Sequence, residues 1–221
     1  MMRYLEFAAT SNFSFLRGAS HPEELMVQAA SIGLAGLGLC DRNSVAGVVR
    51  AHVAKREQNL PLRYHPGARL VFADDTPDIL VYPRNRPGWG RLTRLLTLAN
   101  LRAEKGACIL RLDDLLSHAF GLELIAMSGP AKLLARLRET APHRVRLAAS
   151  MLYRGHDRAR LARAKTIARD AQVPLIAVND VLYHHPDRRP LADVLTCIRE
   201  KTTIDRGGRK LAINAERYLK P

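Results

Sequence analysis

Short apolar runs alternate along this chain with longer stretches in which apolar and polar residues repeat at helical spacing. An apolar run of about four to eight residues between polar residues is typical of a buried strand, and helical spacing is typical of an amphipathic helix. The predicted strands cover residues 4–9, 34–40, 69–72, 79–82, 122–127, 145–151 and 174–178. The predicted helices cover residues 21–32, 44–58, 88–103, 113–118, 131–140, 157–171 and 188–199.

This alternation of strands and helices predicts an α/β fold in which a parallel sheet is covered by helices. A closed barrel and an open, doubly wound sheet share the pattern, which therefore leaves both architectures open. The chain has 221 residues, 47% of them apolar, and is long enough for one substantial core. We find no internal repeat or low-complexity linker, and the nearest to a break is Arg206-Gly-Gly-Arg209. One domain is therefore the default interpretation.

The start of the first predicted helix is marked by several residues with distinct roles. Ser20 and Glu23 have the spacing of a capping box, and Pro22 lies in the first turn, where its missing N–H costs nothing. Glu23 and Glu24 place negative charge at the positive end of the helix dipole. These residues predict a helix that begins near residue 21.

Composition narrows the class of protein. No stretch of about 18 apolar residues is present, and Arg3 and Glu6 interrupt the first apolar run, unlike the core of a signal peptide. We therefore expect a soluble, cytoplasmic protein with no membrane partner. Cys40, Cys108 and Cys197 are odd in number and far apart in apolar surroundings, which predicts reduced thiols rather than disulfides or a thiolate metal site.

The charge is strongly positive and uneven. The formal net charge is +14, and residues 132–169 contain eleven Lys or Arg against two acidic residues, whereas residues 84–111 contain seven against one. Such segments favour the phosphate backbone of DNA as a partner, through attraction that depends on salt and not on base sequence. The alternative is that they are merely solvated helix faces. Aromatic residues make up only 5% of the chain, which argues against a base-stacking platform for single strands.

One long motif and two supporting ones resemble a known family. Residues 11–25 read Ser-Asn-Phe-Ser-Phe-Leu-Arg-Gly-Ala-Ser-His-Pro-Glu-Glu-Leu. Residues 178–184 read Val-Asn-Asp-Val-Leu-Tyr-His, and further similarity runs through residues 190–205 and 214–221. Together they resemble the PHP (polymerase and histidinol phosphatase) domain of bacterial C-family DNA polymerases, in particular the error-prone branch.

The resemblance implies an architecture and partners. The family forms a distorted, TIM-like seven-stranded (β/α) barrel whose site lies at the C-terminal ends of the strands, so the barrel is expected over residues 1–199. Residues 200–221 are then expected to be a tail that leads towards the polymerase core of the same parent chain. That core is the first implied partner, and the DNA backbone and accessory replication or lesion-bypass proteins are further ones.

The resemblance also locates a site. Family members with an intact site bind a cluster of metal ions through His, Asp and Glu side chains at the strand ends and hydrolyse phosphoesters, because clustered cations activate water and offset phosphoryl charge. The positions that correspond to those ligands are Ala8 and Thr10 for a His-x-His pair, Arg17 for a carboxylate, Asp41 and Arg42 for an Asp-His pair, Ala68 for the Glu of Gly-x-Glu, Asp78 and Arg154 for two further histidines, and Asp180 and Leu182 for an Asp-x-His pair.

Most of these positions have lost the ability to bind a metal ion, so the resemblance implies a degenerate site without catalytic residues, metal or other cofactor. Arg17, Arg42 and Arg154 offer only N–H donors and would repel divalent cations. They are candidates for binding a phosphate or sulfate ion. Alternatively, they pair with Asp41 and Asp180 and replace metal cross-links by salt bridges.

The sequence therefore predicts the PHP domain of an error-prone DNA polymerase used in damage-tolerant DNA synthesis, with a structural or interaction role and no catalysis of its own. Two alternatives from other classes stay open at this point. One is an active metal-dependent PHP phosphoesterase or 3′→5′ exonuclease with nonstandard ligands. The other is a free-standing basic DNA-binding protein.

Overall fold

Seven strands form one sheet in the computed structural model, which describes residues 4–221. They follow the chain order across the sheet: β1 (Leu5–Ala9), β2 (Gly36–Arg42), β3 (Arg63–Leu70), β4 (Ile79–Pro83), β5 (Leu122–Ala126), β6 (Val145–Ala149) and β7 (Leu175–Ala177). The helices outside it are α1 (Pro22–Ser31), α2 (Val48–Glu57), α3 (Arg86–Leu101), α4 (Leu112–His118), α5 (Ala131–Thr140), α6 (Asp157–Asp170), α7 (Arg189–Arg199) and the short α8 (Ile204–Gly207). Every predicted helix is confirmed.

The sheet curls into a nearly closed barrel. β1 meets the segment that follows β7, where Thr10 N donates to Val181 O at 2.9 Å and Val181 N donates to Ala8 O at 2.8 Å. These two bonds bring together the two ends of the seven-strand order. The predicted (β/α) barrel is thus confirmed, and the open, doubly wound alternative is wrong.

The prediction of an entirely parallel sheet is wrong at β4, which runs antiparallel to both β3 and β5. Only residues 71–78 separate β3 from β4, and they contain no helix. A parallel connection needs a crossover of a dozen or more residues, so this short link must reverse the chain. As a result, the start of β4 lies at the same end of the barrel as the C-terminal ends of the other strands.

β3 is also longer than the apolar pattern indicates, because it begins at Arg63 instead of residue 69. The added residues, 63–68, read Arg-Tyr-His-Pro-Gly-Ala and contain no apolar run. They nevertheless pair with β2 along its whole length, from Gly36 opposite Arg63 to Arg42 opposite Arg69. Backbone pairing with a buried neighbour strand therefore sets this boundary.

The first helix begins at Pro22, close to the predicted position, but through a different cap. His21 is the N-cap residue, and its backbone N–H donates to Glu24 Oε2 at 2.8 Å. Ser20 instead accepts a hydrogen bond from His184 N at 2.9 Å, which ties the start of α1 to the segment after β7. Glu23 pairs with Arg50 of α2. The predicted Ser20–Glu23 capping box is therefore wrong by one residue, because the structure forms it with His21 and Glu24.

The core has layers inside and outside the sheet. Two clusters of aliphatic side chains lie between the sheet and the surrounding helices, one of them centred on Leu92, Leu95 and Leu124. The barrel interior is filled by a smaller cluster that includes Ala8, Cys40, Leu80, Tyr82, Ile125, Ala148 and Val178. Because this interior is packed with side chains, the space open to a ligand is at the mouth.

The cysteines are free thiols, and burial raises the pKa of Cys40 to about 12. Among residues 4–221, no helix combines the length and apolar character needed to cross a bilayer.

Part of the segment 200–221 returns to the barrel. Leu182 N donates to Arg217 O at 2.9 Å, Asn214 donates to Leu152 O at 2.7 Å, and Leu219 is buried. Its expected role as a tail towards a polymerase core stays a prediction.

Candidate functional site

A cavity of about 550 Å³ opens at the barrel mouth, at the end where β1, β2, β3 and β7 finish and β4 starts. We call it the mouth pocket. Its charged lining comprises eight cations, Arg17, Arg42, Arg69, Arg154, Arg189, Arg199, Lys210 and Arg217, and three carboxylates, Asp78, Asp180 and Asp193. The lining thus carries five positive charges in excess. Thr10 and Leu182 also face this space.

A continuous set of ion pairs crosses the floor of the mouth pocket. Arg69, at the end of β3, places Nε 2.7 Å from Asp78 Oδ2 and Nη1 2.7 Å from Asp180 Oδ1. Asp180 is also contacted by Arg217, whose Nη2 lies 2.6 Å from Oδ2. We call the series Asp78–Arg69–Asp180–Arg217 the ion-pair chain. It links the ends of β3 and β7, the start of β4 and the C-terminal segment.

The charges of the ion-pair chain stabilise one another in partly buried positions. Burial favours the neutral form of Asp180, but the positive charges of Arg217 and Arg69 outweigh it and hold the pKa of Asp180 below its ordinary value. Burial likewise opposes the charge on Arg69, and Asp180 and Asp78 outweigh it and raise the pKa of that guanidinium. Both groups are therefore ionised at neutral pH.

Asp41 does not take part in this network, and the expected pairing with Arg17, Arg42 or Arg154 is wrong. Its carboxylate is 1% exposed and accepts hydrogen bonds from the loop after β1. Ser11 N and Oγ donate at 2.9 and 2.8 Å, and Ser14 Oγ donates at 2.8 Å. Burial raises the pKa of Asp41 in spite of these bonds. Asp41 therefore fixes the loop that carries Arg17.

The three predicted anion-binding arginines all line the mouth pocket. Arg17, Arg42 and Arg154 form no ion pair with any carboxylate among residues 4–221, so Asp180 has other partners than those expected. Burial, followed by the nearby charges of Arg42 and Arg199, lowers the pKa of Arg17. Burial, followed by Arg217 and Arg160, lowers the pKa of Arg154.

The structure thus gathers Thr10, Arg17, Arg42, Asp78, Arg154, Asp180 and Leu182 around one cavity and leaves Ala8, Asp41 and Ala68 outside its lining. Ala8 and Ala68 are fully buried in the barrel wall. Six further charged residues of the lining are not among the predicted site residues: Arg69, Arg189, Asp193, Arg199, Lys210 and Arg217. Arg69 directly follows Gly67-Ala68 at a strand end, which is the one local signal that could have identified it.

The side chains at the mouth do not fit a cluster of metal ions. Asp78 and Asp180 already accept hydrogen bonds from guanidinium groups. Within the described part of the chain, no three His, Cys, Asp or Glu side chains are grouped so that they could share an ion. The third carboxylate of the lining, Asp193, is paired with Arg189 at 2.7 Å. The other lining groups are cations, hydroxyl groups and apolar side chains.

Sequence comparisons place this geometry in a family. The PHP domain model matches residues 8–171. The chain is 52% identical over 228 residues to an error-prone DNA polymerase of Mesorhizobium japonicum and 50% identical over 227 residues to one of Rhodopseudomonas palustris. Each alignment covers 99% of this chain and 20% of the relative. The chain therefore spans about one fifth of the length of these relatives.

Solved structures share the fold. A proposed metal-dependent phosphoesterase from Bifidobacterium adolescentis superposes with a TM-score of 0.59 at 14% identity, over 81% of this chain and 88% of that one. An amidohydrolase from Chromobacterium violaceum, with bound sulfate and no metal, superposes with a TM-score of 0.56 at 14% identity, over 80% and 87%. At this identity the likeness extends to the barrel alone. The family match and the barrel together show that the chain belongs to the PHP domain family.

Proposed function

We propose that this chain is the PHP domain of an error-prone DNA polymerase that acts in damage-tolerant DNA synthesis in the cytoplasm, and that its barrel is a scaffold without hydrolytic activity. One observation carries the proposal: the two carboxylates of the ion-pair chain, which stand at positions that resemble metal-ligand positions of the family, are already bound by guanidinium groups. Asp78 and Asp180 correspond to ligand positions, and each is held by Arg69 at 2.7 Å.

Electrostatics explain why such a mouth would reject metal ions. Phosphoester hydrolysis by clustered metals needs several neutral imidazoles and carboxylates directed at one point. A guanidinium group offers no lone pair and stays protonated. At about 4 Å and an effective dielectric constant near 20, a unit charge repels a divalent cation by roughly 8 kcal/mol. The lining places eight cations around the same cavity.

The ion-pair chain also supplies what a metal cluster would otherwise contribute to stability. It connects segments that are far apart in sequence, from Arg69 in β3 to Arg217 near the C-terminus. Their side chains are 17% and 20% exposed, and Asp180 is 15% exposed. Partly shielded, multiply bonded ion pairs of this kind hold a defined geometry better than isolated surface pairs.

A scaffold needs a surface for its partner, and α7 provides one. Leu191, Val194 and Ile198 recur at helical spacing and are 40%, 43% and 56% exposed. Phe15, in the loop after β1, is 82% exposed. We infer that this apolar face packs against the rest of the polymerase chain, since four fifths of the related proteins lie outside the matched region. Accessory replication proteins are further candidates for it.

Metal content and nuclease activity test the proposal. The 221-residue chain, purified without chelators and then supplied with Mn²⁺ or Zn²⁺, is expected to hold far less than one ion per chain by plasma mass spectrometry. It is also expected to leave a 3′-labelled oligonucleotide intact.

The alternative hypothesis, an active phosphoesterase or exonuclease, predicts bound metal and cleavage of the oligonucleotide. One bound metal ion per chain would contradict the scaffold proposal. So would cleavage of the oligonucleotide that is abolished in Asp180→Asn and retained in Asp187→Asn. Asp187 is a suitable control because it lies outside the mouth pocket and its side chain is 88% exposed.

A further inference from the structure

The mouth pocket contains more positive charge than its carboxylates neutralise. Asp78 and Asp180 are used by Arg69 and Arg217, and Asp193 is used by Arg189 at 2.7 Å. Every carboxylate of the lining therefore already has a cationic partner.

The remaining cations differ in what they contact. Arg199 donates to Leu16 O at 2.8 Å and pairs with Glu200, so it is held in place by groups outside the cavity. Arg17, Arg42, Arg154 and Lys210 have no ion pair within residues 4–221. Four positive side chains without a counter-charge thus face one cavity.

The arrangement differs from an ordinary solvated face. Exposed cations on α6, such as Arg158 and Lys165, lie along a single helix. The cations of the mouth pocket come from separate segments, including the loop after β1, the end of β2 and the short turn at residues 208–210, and they surround a concavity. Burial, and after it the positive charges of Arg42 and Arg199, lower the pKa of Arg17. Bringing like charges together in this way is unfavourable unless an anion joins them.

We propose that the mouth pocket binds a phosphate-bearing small molecule, with Arg17, Arg42 and Lys210 as its principal donors and Arg154 as a further cation of the lining. Guanidinium forks donate parallel N–H bonds to tetrahedral oxyanions, and four positive side chains without a counter-charge favour a multiply charged anion over a carboxylate. The cavity of about 550 Å³ lies within the range of small-molecule sites, roughly 300–1,000 Å³. This inference goes beyond the scaffold role. It rests on the proposed function in one respect only, that no metal cluster occupies the mouth pocket.

A second cleft offers room for an organic part of the ligand. It has a volume of about 650 Å³, shares Arg69, Arg154 and Asp180 with the mouth pocket, and is lined by apolar side chains such as Leu147 and Ile167. Inorganic phosphate would occupy part of the mouth pocket only, whereas a nucleotide would extend into this cleft. Both sources present the same phosphate chemistry.

Titration calorimetry on the 221-residue chain tests the proposal, at constant and near-physiological ionic strength. The titrants are inorganic phosphate, pyrophosphate and a deoxynucleoside monophosphate, and at least one is expected to bind saturably with one site per chain. The double variant Arg17→Gln/Arg42→Gln is expected to weaken binding at least about tenfold, because two charge-assisted donors are lost. Arg158→Gln/Lys165→Gln removes the same charge from α6 and is expected to change binding less than about twofold.

The inference would be wrong if no titrant bound saturably, or if the α6 control lost as much affinity as the double variant. It would also be wrong if added phosphate changed the NMR chemical shifts of amides on α6 and not of those at the mouth pocket. Lys210→Gln guards against a folding defect in the double variant, because Lys210 is exposed and without an ion pair in the described chain. It too is expected to weaken binding. Metal analysis of the same samples separates the two proposals. Bound metal would contradict the scaffold role, whereas a metal-free protein that does not bind phosphate would contradict only this inference.

Discussion

Asp180 is the residue at which the ion pairs of the mouth converge. Its two carboxylate oxygens contact Arg69 and Arg217, and its backbone has a φ of 50°, in the left-handed region. Asn tolerates that region as well as Asp does, so Asp180→Asn removes the charge and little else. We expect the free energy of unfolding to fall by about 2 kcal/mol, between the values of exposed and buried pairs.

Urea unfolding followed by circular dichroism measures this loss. Asp187→Asn is the matched control, because its side chain is 88% exposed and its ion-pair partner is His185. The control is expected to stay within about 0.5 kcal/mol of the parent chain. Equal stability of the two variants would show that the ion-pair chain does not stabilise the barrel.

Glu6 is a second residue whose charge matters, because its carboxylate is fully buried in β1. Burial raises its pKa to about 7, although hydrogen bonds from Tyr4, Ala8 and Asn179 favour the charged form. The folded state therefore binds a proton that the unfolded state has released. Glu6 therefore makes its full contribution to the free energy of unfolding below the ordinary pKa of 4.5. That contribution, about 3 kcal/mol in total, is lost as the pH rises to about 7.

The titration of Glu6 can be observed directly by carbon-detected NMR of the carboxyl group. We expect a midpoint near 7 and, in urea unfolding, a stability that declines across the same pH interval. Glu57→Gln, a substitution at an exposed site of α2, is expected to leave that decline unchanged. A Glu6 midpoint below 5 would contradict the assignment.

Among the elements, β4 depends on glycines in its neighbours. Tyr82 points into the barrel from β4 and donates to Phe7 O. A Cβ at Gly67 of β3 would lie 2.5 Å from the Tyr82 ring and 2.6 Å from Val81 O, and one at Gly38 of β2 would lie 2.7 Å from Tyr82 Oη. These two glycines therefore leave the space that the aromatic ring fills.

Gly67→Ala is expected to lower the free energy of unfolding by about 1–3 kcal/mol, because the barrel must open to relieve the contact with Tyr82. Gly90→Ala is the matched control, since a Cβ at Gly90 meets nothing within 4 Å and the residue is exposed in α3. There the same substitution is expected to stabilise by about 0.5–1 kcal/mol through lower backbone entropy in the unfolded chain. Thermal and urea unfolding of both variants measure these changes. A Gly67→Ala variant as stable as the parent chain would contradict the packing argument.

The elements show which parts of the fold local pattern can predict. Helices such as α5 and α7 have continuous amphipathic spacing, and their predicted boundaries agree with the structure to within one residue. The start of β3 could not be predicted, because residues 63–68 pair with β2 through backbone bonds that need no apolar side chains. The direction of β4 follows from the length of a link, residues 71–78, and not from any periodicity.

At the scale of the whole molecule, the site was predictable only in part. Arg17, Arg42, Asp78 and Asp180, which are singled out from motif positions, line one mouth because strand ends converge in a barrel. The partner of Asp180 could not be predicted, since Arg217 reaches it from 37 residues along the chain. Ion pairs between distant segments depend on how the chain returns to the barrel, and no local sequence pattern records that path.

The net charge of +14 leads to a prediction about DNA that does not involve the mouth pocket. α5 and α6 pack side by side, and Lys132, Arg158, Arg163 and Lys165 are exposed on them. If these side chains neutralise backbone phosphates, the affinity for duplex DNA falls steeply with salt and is the same for unrelated sequences. Arg158→Gln/Lys165→Gln is then expected to reduce the slope of log affinity against log salt by about 2, at about 0.9 per phosphate contact.

Fluorescence anisotropy with two unrelated duplexes over a range of salt concentrations measures that slope. Lys55→Gln/Arg56→Gln removes the same charge from α2, which packs against β3 instead of β6, and is expected to leave the slope unchanged. An equal reduction in both variants would mean that DNA responds to the overall charge and that the α5–α6 face has no special role. A smaller slope in the α6 variant alone would instead assign the backbone contact to one side of the barrel, because only there does each cation displace a counterion from the DNA when it binds.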